Sequence, residues 1–375
     1  MTSNLPKLII DDSETCADLL YATKFFVGDP IIFLLEGKHS TILLSDLEID
    51  RGKREAKADE ILSLSEFNQQ NEGVLGKKPT LGETAVAFLK SRKVRHAVVP
   101  PSFPFALANK LADAGIKLEP SDGHMFPARQ QKTAEELKLM RRALQITEAG
   151  MARGIEILSS SDIGKGRRLI WGGKPLTAER MRAEIDSAIL HHGGLPMHTI
   201  VAGGDQGCDP HERGHGPLKA NDLIILDVFP RDARSGYFGD LTRTVLRGTA
   251  TDAQRKLYAT VERGQKMGLD QMKPGANGEK IHEAIKQYFT DAGYPTEKNA
   301  AGRWTGFFHG TGHGLGLDLH ELPRFQAGKL KANQVFTVEP GLYYPGVGGV
   351  RIEDVAVVTA KGGRLISKME KRLEV

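Results

Sequence analysis

Residues 309–323 read HGTGHGLGLDLHELP, and in this stretch histidines stand among closely spaced glycines. Its imidazoles belong to His309, His313 and His320, and glycine occupies every second position from 310 to 316. So many glycines disfavour a helix, but in an extended segment the even spacing still puts His309 and His313 on one face. Glycine also removes side-chain bulk where a backbone or a ligand must come close. We therefore predict an extended segment that presents imidazoles to a site, the alternative being ordinary hydrogen-bonded loop histidines.

Acidic residues in apolar segments decide between these two interpretations. Asp227 follows the apolar run of DLIILDVFP (222–230), and Asp240 lies in the strand-like GYFGDLTRTVLRG (236–248). The turn-rich PRDARSG between them predicts a hairpin, in which both carboxylates face one side if the register allows it. Without further acids, a pair of surface aspartates at strand ends would explain the pattern equally well.

Two glutamates extend the acidic set. Glu339 follows alternating apolar residues in VFTVEPG, and Glu353 lies between Ile352 and a run of valines in GGVRIEDVAVV. A buried charge is very costly unless it is paired or bound to a metal. The four acids beside the histidines therefore predict a binuclear metal site. Carboxylate-rich ligands with a single imidazole favour hard divalent ions, manganese first and then cobalt, iron or zinc.

The composition of the 375-residue chain argues against several classes of protein. Its length predicts two domains, and a net charge of +4 without a sustained basic run argues against a nucleic-acid partner. No apolar run reaches the length of a membrane span, and MTSNLPKLIIDDSE lacks the layout of a signal peptide. The only cysteines, Cys16 and Cys208, cannot form a disulfide framework. We therefore expect a cytoplasmic protein without nucleic-acid or membrane partners.

The first third of the chain alternates strand-like runs with helical stretches, which predicts an α/β domain. The strand-like runs lie at 31–35, 41–44 and 96–100, and the helical stretches at 83–93 and 104–115. The segment 121–132 breaks this pattern with glycine, proline and polar residues. We place the domain boundary there, between residues 1–128 and 129–375.

The second part has a different order of elements. A capping box from Thr133 to Glu136 opens a long helix, and another helix is predicted over 177–192. Strand-like sequence follows from about residue 198. Two more helices and three more strand-like stretches come next, at 252–272 and 277–292, and at 305–319, 335–344 and 350–358. The order helix, helix, strands thus occurs twice without a residue-level repeat, and it predicts an α+β domain.

Four motifs in this order resemble the pita-bread metallopeptidases, most closely their Xaa-Pro peptidase branch of aminopeptidase P and prolidase. They are Asp227 with GDLTRT, then HGTGHGLGLDLHE, VEPG and GGVRIED, and the resemblance covers most of 130–375. DLLYATKFF and TILLSDLEIDR are similar to the creatinase-type N-terminal domain. The resemblance implies an α/β creatinase-like N-terminal domain followed by an α+β pita-bread catalytic domain.

The resemblance also implies ligands for two divalent metal ions. Asp227 would chelate one ion, His313 and Glu339 would bind the other, and Asp240 and Glu353 would bridge both. A hydroxide between the ions would be the nucleophile.

Further residues receive catalytic or binding roles from the same resemblance. Glu339 would move a proton toward the leaving nitrogen. His211 would stabilise the tetrahedral intermediate, and His320 would hydrogen-bond the substrate. Arg351 would orient the site, and His309 would shape the pocket.

The interval from Asp227 to Asp240 departs from the family, because it is two residues longer than usual. Side chains alternate along a strand, so an even insertion keeps both aspartates on one face. We therefore expect the metal site to be retained and the loop RDARSG to be longer.

Together these features predict a metal-dependent hydrolase that cleaves the peptide bond before proline in a dipeptide or oligopeptide, and the resemblance implies a homodimer. A dedicated pocket is needed because the proline nitrogen carries no hydrogen and its ring fixes φ. The alternatives are a pita-bread peptidase of other specificity such as a methionine aminopeptidase, a metal-free creatinase-like hydrolase, and a non-catalytic protein that keeps the fold. The N-terminal domain argues against the first, and the complete set of ligands and histidines argues against the others.

Overall fold

The computed structural model describes residues 5–375, so the first four residues of the stretch used to argue against a signal peptide lie outside it. The chain divides into two compact units, Met1–Arg129 and Gln130–Val375. The boundary that the sequence suggested falls one residue earlier. No helix within residues 5–375 combines the length and apolar character that crossing a membrane requires.

Residues 5–129 form an α/β unit built on a mixed sheet with strand order β4-β3-β2-β1-β5-β6. The strands are β1 (Lys7–Asp11), β2 (Ile31–Glu36), β3 (His39–Leu44), β4 (Glu60–Ser63), β5 (His96–Val99) and β6 (Lys117–Pro120). The helices are α1 (Ala17–Thr23), α2 (Ile49–Glu55), α3 (Leu64–Gln70), α4 (Glu72–Leu75), α5 (Leu81–Ser91) and α6 (Phe105–Asp113). Successive residues of β2 enter different cores, Ile32 on one face and Phe33 on the other. Burial on both faces explains why these strands read as continuous apolar runs.

Residues 130–375 form the second unit, in which helix pairs precede small antiparallel sheets. The helices are α7 (Ala134–Ser159), α8 (Ala178–His191), α9 (Asp252–Gln271) and α10 (Gly278–Asp291). The short strands outside the two main sheets are β7 (Asp162–Ile163), β8 (Leu169–Trp171), β9 (Lys174–Pro175), β10 (Gly194–Leu195), β13 (Arg231–Asp232), β15 (Glu297–Lys298), β16 (Trp304–Thr305), β18 (Gly341–Tyr344) and β19 (Gly348–Arg351). The main sheets contain β11 (Ile200–Gly203), β12 (Ile224–Val228), β14 (Leu241–Val245), β17 (Val335–Val338), β20 (Asp354–Thr359) and β21 (Gly362–Leu365).

The predicted repetition of helix, helix and strands is present in this unit. Helices α7 and α8 share a core with the sheet β11-β12-β14, and α9 and α10 share a core with β17-β20-β21. Each first helix also carries a glycine where the second helix comes close. A β-carbon on Gly154 would lie 3.0 Å from Ile185, and one on Gly264 would lie 2.5 Å from Phe289. The repetition therefore extends to the way in which each helix pair packs, although no repeat is evident in the residues as a whole.

Three of the predicted strands differ from the observed ones. The predicted strand 335–344 is interrupted at Glu339 because Pro340 has no N–H to continue the ladder. The predicted strand 350–358 is interrupted at Glu353, whose N–H donates instead to the carbonyl of Thr242. Of 305–319, only Thr305 belongs to a strand. Both glutamates therefore lie at breaks between strands and not in strand interiors.

Candidate metal centre

The hairpin predicted between the two aspartates is confirmed. Strand β12 pairs antiparallel with β14, and Asp227 lies opposite Thr242. Asp240 precedes Thr242 by two positions, so both aspartates share a face of the hairpin. Each of them is buried. The longer connection between the strands therefore leaves both aspartates on one face, as expected for an even insertion.

The two glutamates lie at the same end of the second sheet. Strand β17 pairs with β20 so that its last residue, Val338, lies opposite Asp354, the first residue of β20, and Glu339 and Glu353 are the residues just beyond this pair. The hydroxyl of Thr242 donates a 2.7 Å hydrogen bond to Oε2 of Glu353. The backbone N–H of Glu353 donates to the carbonyl of Thr242 at 3.0 Å. These bonds join the aspartate hairpin to the glutamate sheet.

The histidine segment runs antiparallel beside β17. The N–H of Glu339 donates to the carbonyl of Thr311 at 2.8 Å, and the N–H of Thr337 donates to the carbonyl of His313 at 2.9 Å. A β-carbon on Gly312 would lie 1.9 Å from the carbonyl oxygen of Thr337, which is far inside van der Waals contact. The glycine is therefore needed for this close approach. Residues 311–314 run beside β17 with isolated bridging in place of a regular strand, and the predicted extended conformation is interrupted by bends at His309, Thr311 and 316–320.

The side chains of this region form a group that suits a divalent cation. Nε2 of His313 lies 3.5 Å from Oδ2 of Asp240 and 3.4 Å from Oε1 of Glu339. One ligand atom each from Asp240, His313 and Glu353 lies within 4.8 Å of the others. Oδ1 of Asp227 is buried, and no residue in 5–375 makes a hydrogen bond to it. A bound cation would satisfy this buried oxygen.

The pKa values of the carboxyl groups also indicate that this group of side chains suits a divalent cation. Burial, together with the charge of Asp227, raises the pKa of Asp240 well above its ordinary value. Burial and the charge of Asp240 raise the pKa of Glu353 in the same way. Burial raises the pKa of Glu339 to about 7. Crowded carboxylates resist ionising together without a counter-charge, and divalent cations would supply that charge.

A chain of buried polar contacts extends from Asp227 to His309. Nη2 of Arg351 donates to Oδ2 of Asp227 at 2.6 Å, and Nη1 donates to the Tyr343 hydroxyl at 3.1 Å. That hydroxyl lies 2.8 Å from Nε2 of His309. Burial lowers the pKa of His309 to about 3, so its imidazole is neutral at physiological pH. His309 therefore contacts Tyr343, which connects it to the ligand region through Arg351.

The other two predicted histidines are exposed. The ring of His320 packs edge-on against the ring of His313, with centroids 4.2 Å apart. His211 lies on a loop, where its backbone N–H donates to the Asp209 carboxylate at 3.3 Å. The pKa of His309 is lowered by burial and then by Arg351, and the pKa of His320 by burial and then by His313, with His211 a smaller cause in both cases. The structure thus packs His320 against His313, a predicted ligand. Within the described residues, His211 makes no hydrogen bond to the four acids predicted as ligands.

Three residues that contact the predicted ligands or connect their neighbours were not predicted from the sequence. Tyr343 connects Arg351 to His309, and Thr242 donates to Glu353. Thr337 donates its hydroxyl to Oε1 of Glu339 at 3.1 Å. Thr242 and Thr337 each lie two positions from a predicted ligand along a strand. The alternation of strand side chains could have identified both.

The longer loop after Asp227 is also bonded to the histidine segment. Its strand β13 pairs with β10, and Arg231 forms an isolated bridge with Phe238. The N–H of Phe238 donates to the carbonyl of Gly316 at 2.8 Å. The two additional residues therefore belong to a structured connection that contacts the site.

Comparison with known proteins agrees with this geometry. A family model described as metallopeptidase family M24 matches residues 138–360, more than half of the chain. An Xaa-Pro dipeptidase of Pyrococcus furiosus is 25% identical, with 100% of each chain covered. The structure of an Xaa-Pro dipeptidase from Bacillus anthracis has a TM-score of 0.82 at 22% identity and covers 100% of this chain and 96% of that one. The structure of an X-Pro aminopeptidase from Thermotoga maritima also has a TM-score of 0.82, at 21% identity, with 99% and 97% covered.

The structural similarities show that the fold is the one expected from the motifs, an N-terminal α/β domain followed by a pita-bread domain. The matched region includes the aspartate hairpin, the histidine segment and both glutamates. The chain therefore belongs to metallopeptidase family M24, the pita-bread family that its motifs resemble.

Proposed function

We propose that this protein hydrolyses the peptide bond before proline and uses two divalent metal ions to do so. The observation that carries the proposal is the grouping of His313 with Asp240, Glu339 and Glu353, whose carboxyl pKa values are raised mainly by burial and further by neighbouring carboxylates. The buried Asp227, whose charge contributes to raising the pKa of Asp240, completes the set. Similarity along its whole length to an Xaa-Pro dipeptidase supports the choice of substrate.

Each predicted ligand has a place in this proposal. Asp227 would hold one ion, His313 and Glu339 would hold the other, and Asp240 and Glu353 would be shared between the two. The short distances from His313 to Asp240 and Glu339 support this assignment. When bound, the ions polarise the scissile carbonyl and lower the pKa of a water molecule so that it can attack.

Glu339 is the proposed carrier of the proton. The nitrogen of any amide bond must gain a proton to leave as an amine, and in the bond before proline this nitrogen carries no hydrogen of its own. Glu339 is placed for this transfer, because its Oε1 lies 3.4 Å from Nε2 of His313, beside the other proposed ligands. The hydroxyl of Thr337 holds its Oε1 at 3.1 Å.

His320, His211 and Arg351 have supporting roles. The exposed ring of His320, packed against His313, can donate a hydrogen bond to the substrate beside the ligands. His211, from its exposed loop, can stabilise negative charge as the carbonyl becomes tetrahedral. Arg351 orients Asp227, and His309 positions Arg351 through Tyr343.

Manganese is the proposed metal, since the ligands are mainly carboxylates with a single imidazole. The cytoplasm is the proposed location. Cys16 and Cys208 are both free and buried, and burial raises the pKa of each thiol to about 12, which suits a reducing compartment. A homodimer is the proposed assembly, by analogy with the family, and light scattering in solution would test it.

The decisive experiment is hydrolysis of Gly-Pro and Arg-Pro-Pro by metal-stripped protein, before and after manganese is added. Manganese-dependent cleavage of Gly-Pro alone would identify a dipeptidase, and cleavage of Arg-Pro-Pro would identify an aminopeptidase. Binding of two ions without cleavage of either peptide would refute the specificity for proline. Failure to bind any metal would refute the metal-dependent mechanism and favour a metal-free or non-catalytic relative.

A further inference from the structure

The loop between His313 and His320 closes on itself. The N–H of Glu321 donates to the carbonyl of Gly314 at 2.9 Å, and these residues form an isolated antiparallel bridge. Inside the loop, the N–H of Gly316 donates to the carbonyl of Asp318 at 3.2 Å. The loop therefore starts immediately after a proposed ligand and returns immediately after the proposed substrate-binding histidine.

The carboxylate of Glu321 occupies the interior of this loop. Only 1% of its side chain is exposed. Its Oε2 accepts hydrogen bonds from the N–H of Leu317 at 3.1 Å and from the N–H of Asp318 at 3.4 Å. A β-carbon on Gly316 would lie 2.6 Å from the carboxyl carbon, so no larger residue fits there without displacing the carboxylate. The loop backbone is thus arranged around Glu321.

The counter-charge of Glu321 comes from Lys132. The ammonium group of Lys132 donates to Oε1 of Glu321, and only 3% of the lysine side chain is exposed. The backbone of Lys132 is held separately, since its N–H donates to the carbonyl of Asn333 at 2.8 Å. It directly precedes Thr133, the capping residue of α7. Lys132 therefore presents a fixed cation, and a buried carboxylate without it would be very costly.

We propose that Glu321 and Lys132 are positioning residues for His320. The exposed ring of His320 is held edge-on against His313 by the backbone of this loop, and the loop takes its shape from the buried ion pair. The pair sets the angle at which His320 meets a substrate at the metal centre. This role rests on the proposed function, because it assigns His320 to substrate binding.

The first test uses Glu321→Gln, which keeps the shape of the side chain and removes its charge, and Lys132→Met. We expect kcat/KM for the cleaved peptide to fall about 10- to 100-fold in each, the usual range for residues that orient a metal-site ligand or its neighbour. Lys132→Arg keeps the cation and should recover part of the loss. Lys138→Met is the matched control, because Lys138 lies in the first turns of α7, close to Lys132 in the chain, and pairs with Glu135 at 2.8 Å where both side chains are exposed. It should retain the parent activity.

A double-mutant cycle with His320→Ala distinguishes positioning from general stabilisation. If Glu321 acts through His320, Glu321→Gln should cost little once His320 is alanine. If Glu321→Gln lowered kcat/KM by the same factor with and without His320, the proposal would be overturned. If the single variants unfold, the double variant Lys132→Met/Glu321→Gln can replace them, because it removes both charges of the buried ion pair together. The cycle with His320→Ala is then run on this double variant.

A second readout does not depend on turnover. In metal-free protein with labelled histidines, the ring protons of His313 and His320 should show a nuclear Overhauser contact, which we expect to disappear in Glu321→Gln and to persist in Lys138→Met. Persistence in Glu321→Gln would overturn the proposal. If the parent protein cleaves neither peptide, the proposed function fails, but this measurement still decides whether the ion pair positions His320.

Discussion

Arg351 donates a 2.6 Å hydrogen bond to one carboxylate oxygen of Asp227, while the other oxygen is buried and has no hydrogen-bond partner in residues 5–375. The two oxygens of one ligand therefore have separate roles. One is fixed by a guanidinium that Tyr343 also contacts, and the other remains free to bind a cation. The aspartate is thus oriented before a metal ion arrives.

This relationship predicts that Arg351→Met weakens metal binding. Without the guanidinium, Asp227 loses its orientation and its buried counter-charge, so we expect manganese affinity and kcat/KM to fall about 10- to 100-fold. Arg351→Lys should recover only part of the loss, because an ammonium cannot reproduce the planar fork. Titration calorimetry with manganese would measure the affinity. Arg255→Met, which removes a half-exposed arginine paired with Glu374, is the control and should bind as the parent does. Equal affinity in Arg351→Met and the parent would contradict the role of Arg351.

Asp240→Ala should abolish both metal binding and turnover. Asp240 is the proposed bridging ligand closest to His313, and its carboxylate lies in the group of ligand atoms that could hold one ion. The metal content of the purified variant, measured by mass spectrometry, should fall below one ion per chain. Asp252→Ala, at an exposed position in the first turn of α9, should retain the full complement. Turnover by a metal-loaded Asp240→Ala variant would refute the mechanism.

The proposed ligands could be selected from the sequence because they lie in recognisable local patterns. A carboxylate at Asp227 or Glu353 among apolar residues is costly wherever the strands lie, so the pattern alone indicated a bound cation. The register observed between Asp227 and Thr242 puts Asp227 and Asp240 on one face, which the sequence alone left conditional on the register. The long helices could be located because their capping boxes and apolar periodicity are local features.

What could not be predicted depends on contacts between distant segments. The break at Glu353 arises because its N–H bonds to Thr242, more than a hundred positions earlier. The role of Tyr343 requires Arg351 and His309 to meet from different segments. The glycines of the histidine segment indicated a close approach, but only the fold identifies the carbonyl oxygen of Thr337 as the atom that approaches Gly312. Local propensity cannot supply such information.

The pH dependence of the metal-free protein should reveal Glu339. Its pKa is higher in the folded protein, about 7 because of burial, than the ordinary 4.5. Its contribution to stability is therefore complete below about pH 4.5 and is lost as the pH rises through 7. Metal-free Glu339→Gln should match the parent in Tm below about pH 4.5, exceed it increasingly up to about pH 7, and keep a constant advantage above that.

Comparing these two proteins cancels the opposing effect of His313, whose pKa is lowered by burial. Calorimetric scans at several pH values would provide the Tm of each protein. A Tm difference that stays constant from about pH 5 to 8 would contradict the raised pKa of Glu339. Saturating manganese should remove the advantage of the variant, because the ion stabilises the ionised parent more.

Gly312→Ala should destabilise the protein and displace His313. A β-carbon there would overlap the carbonyl oxygen of Thr337, so the histidine segment must move away from β17. Overpacking of this kind typically costs about 1–3 kcal/mol, and the displaced imidazole should also lower manganese affinity. Gly310→Ala is the matched control in the same segment, since its β-carbon would meet only the flexible side chain of Gln326 at 3.2 Å. Thermal unfolding and manganese titration of both variants would measure the two effects. If Gly312→Ala and Gly310→Ala behaved alike, close backbone approach would not be the reason for glycine at position 312.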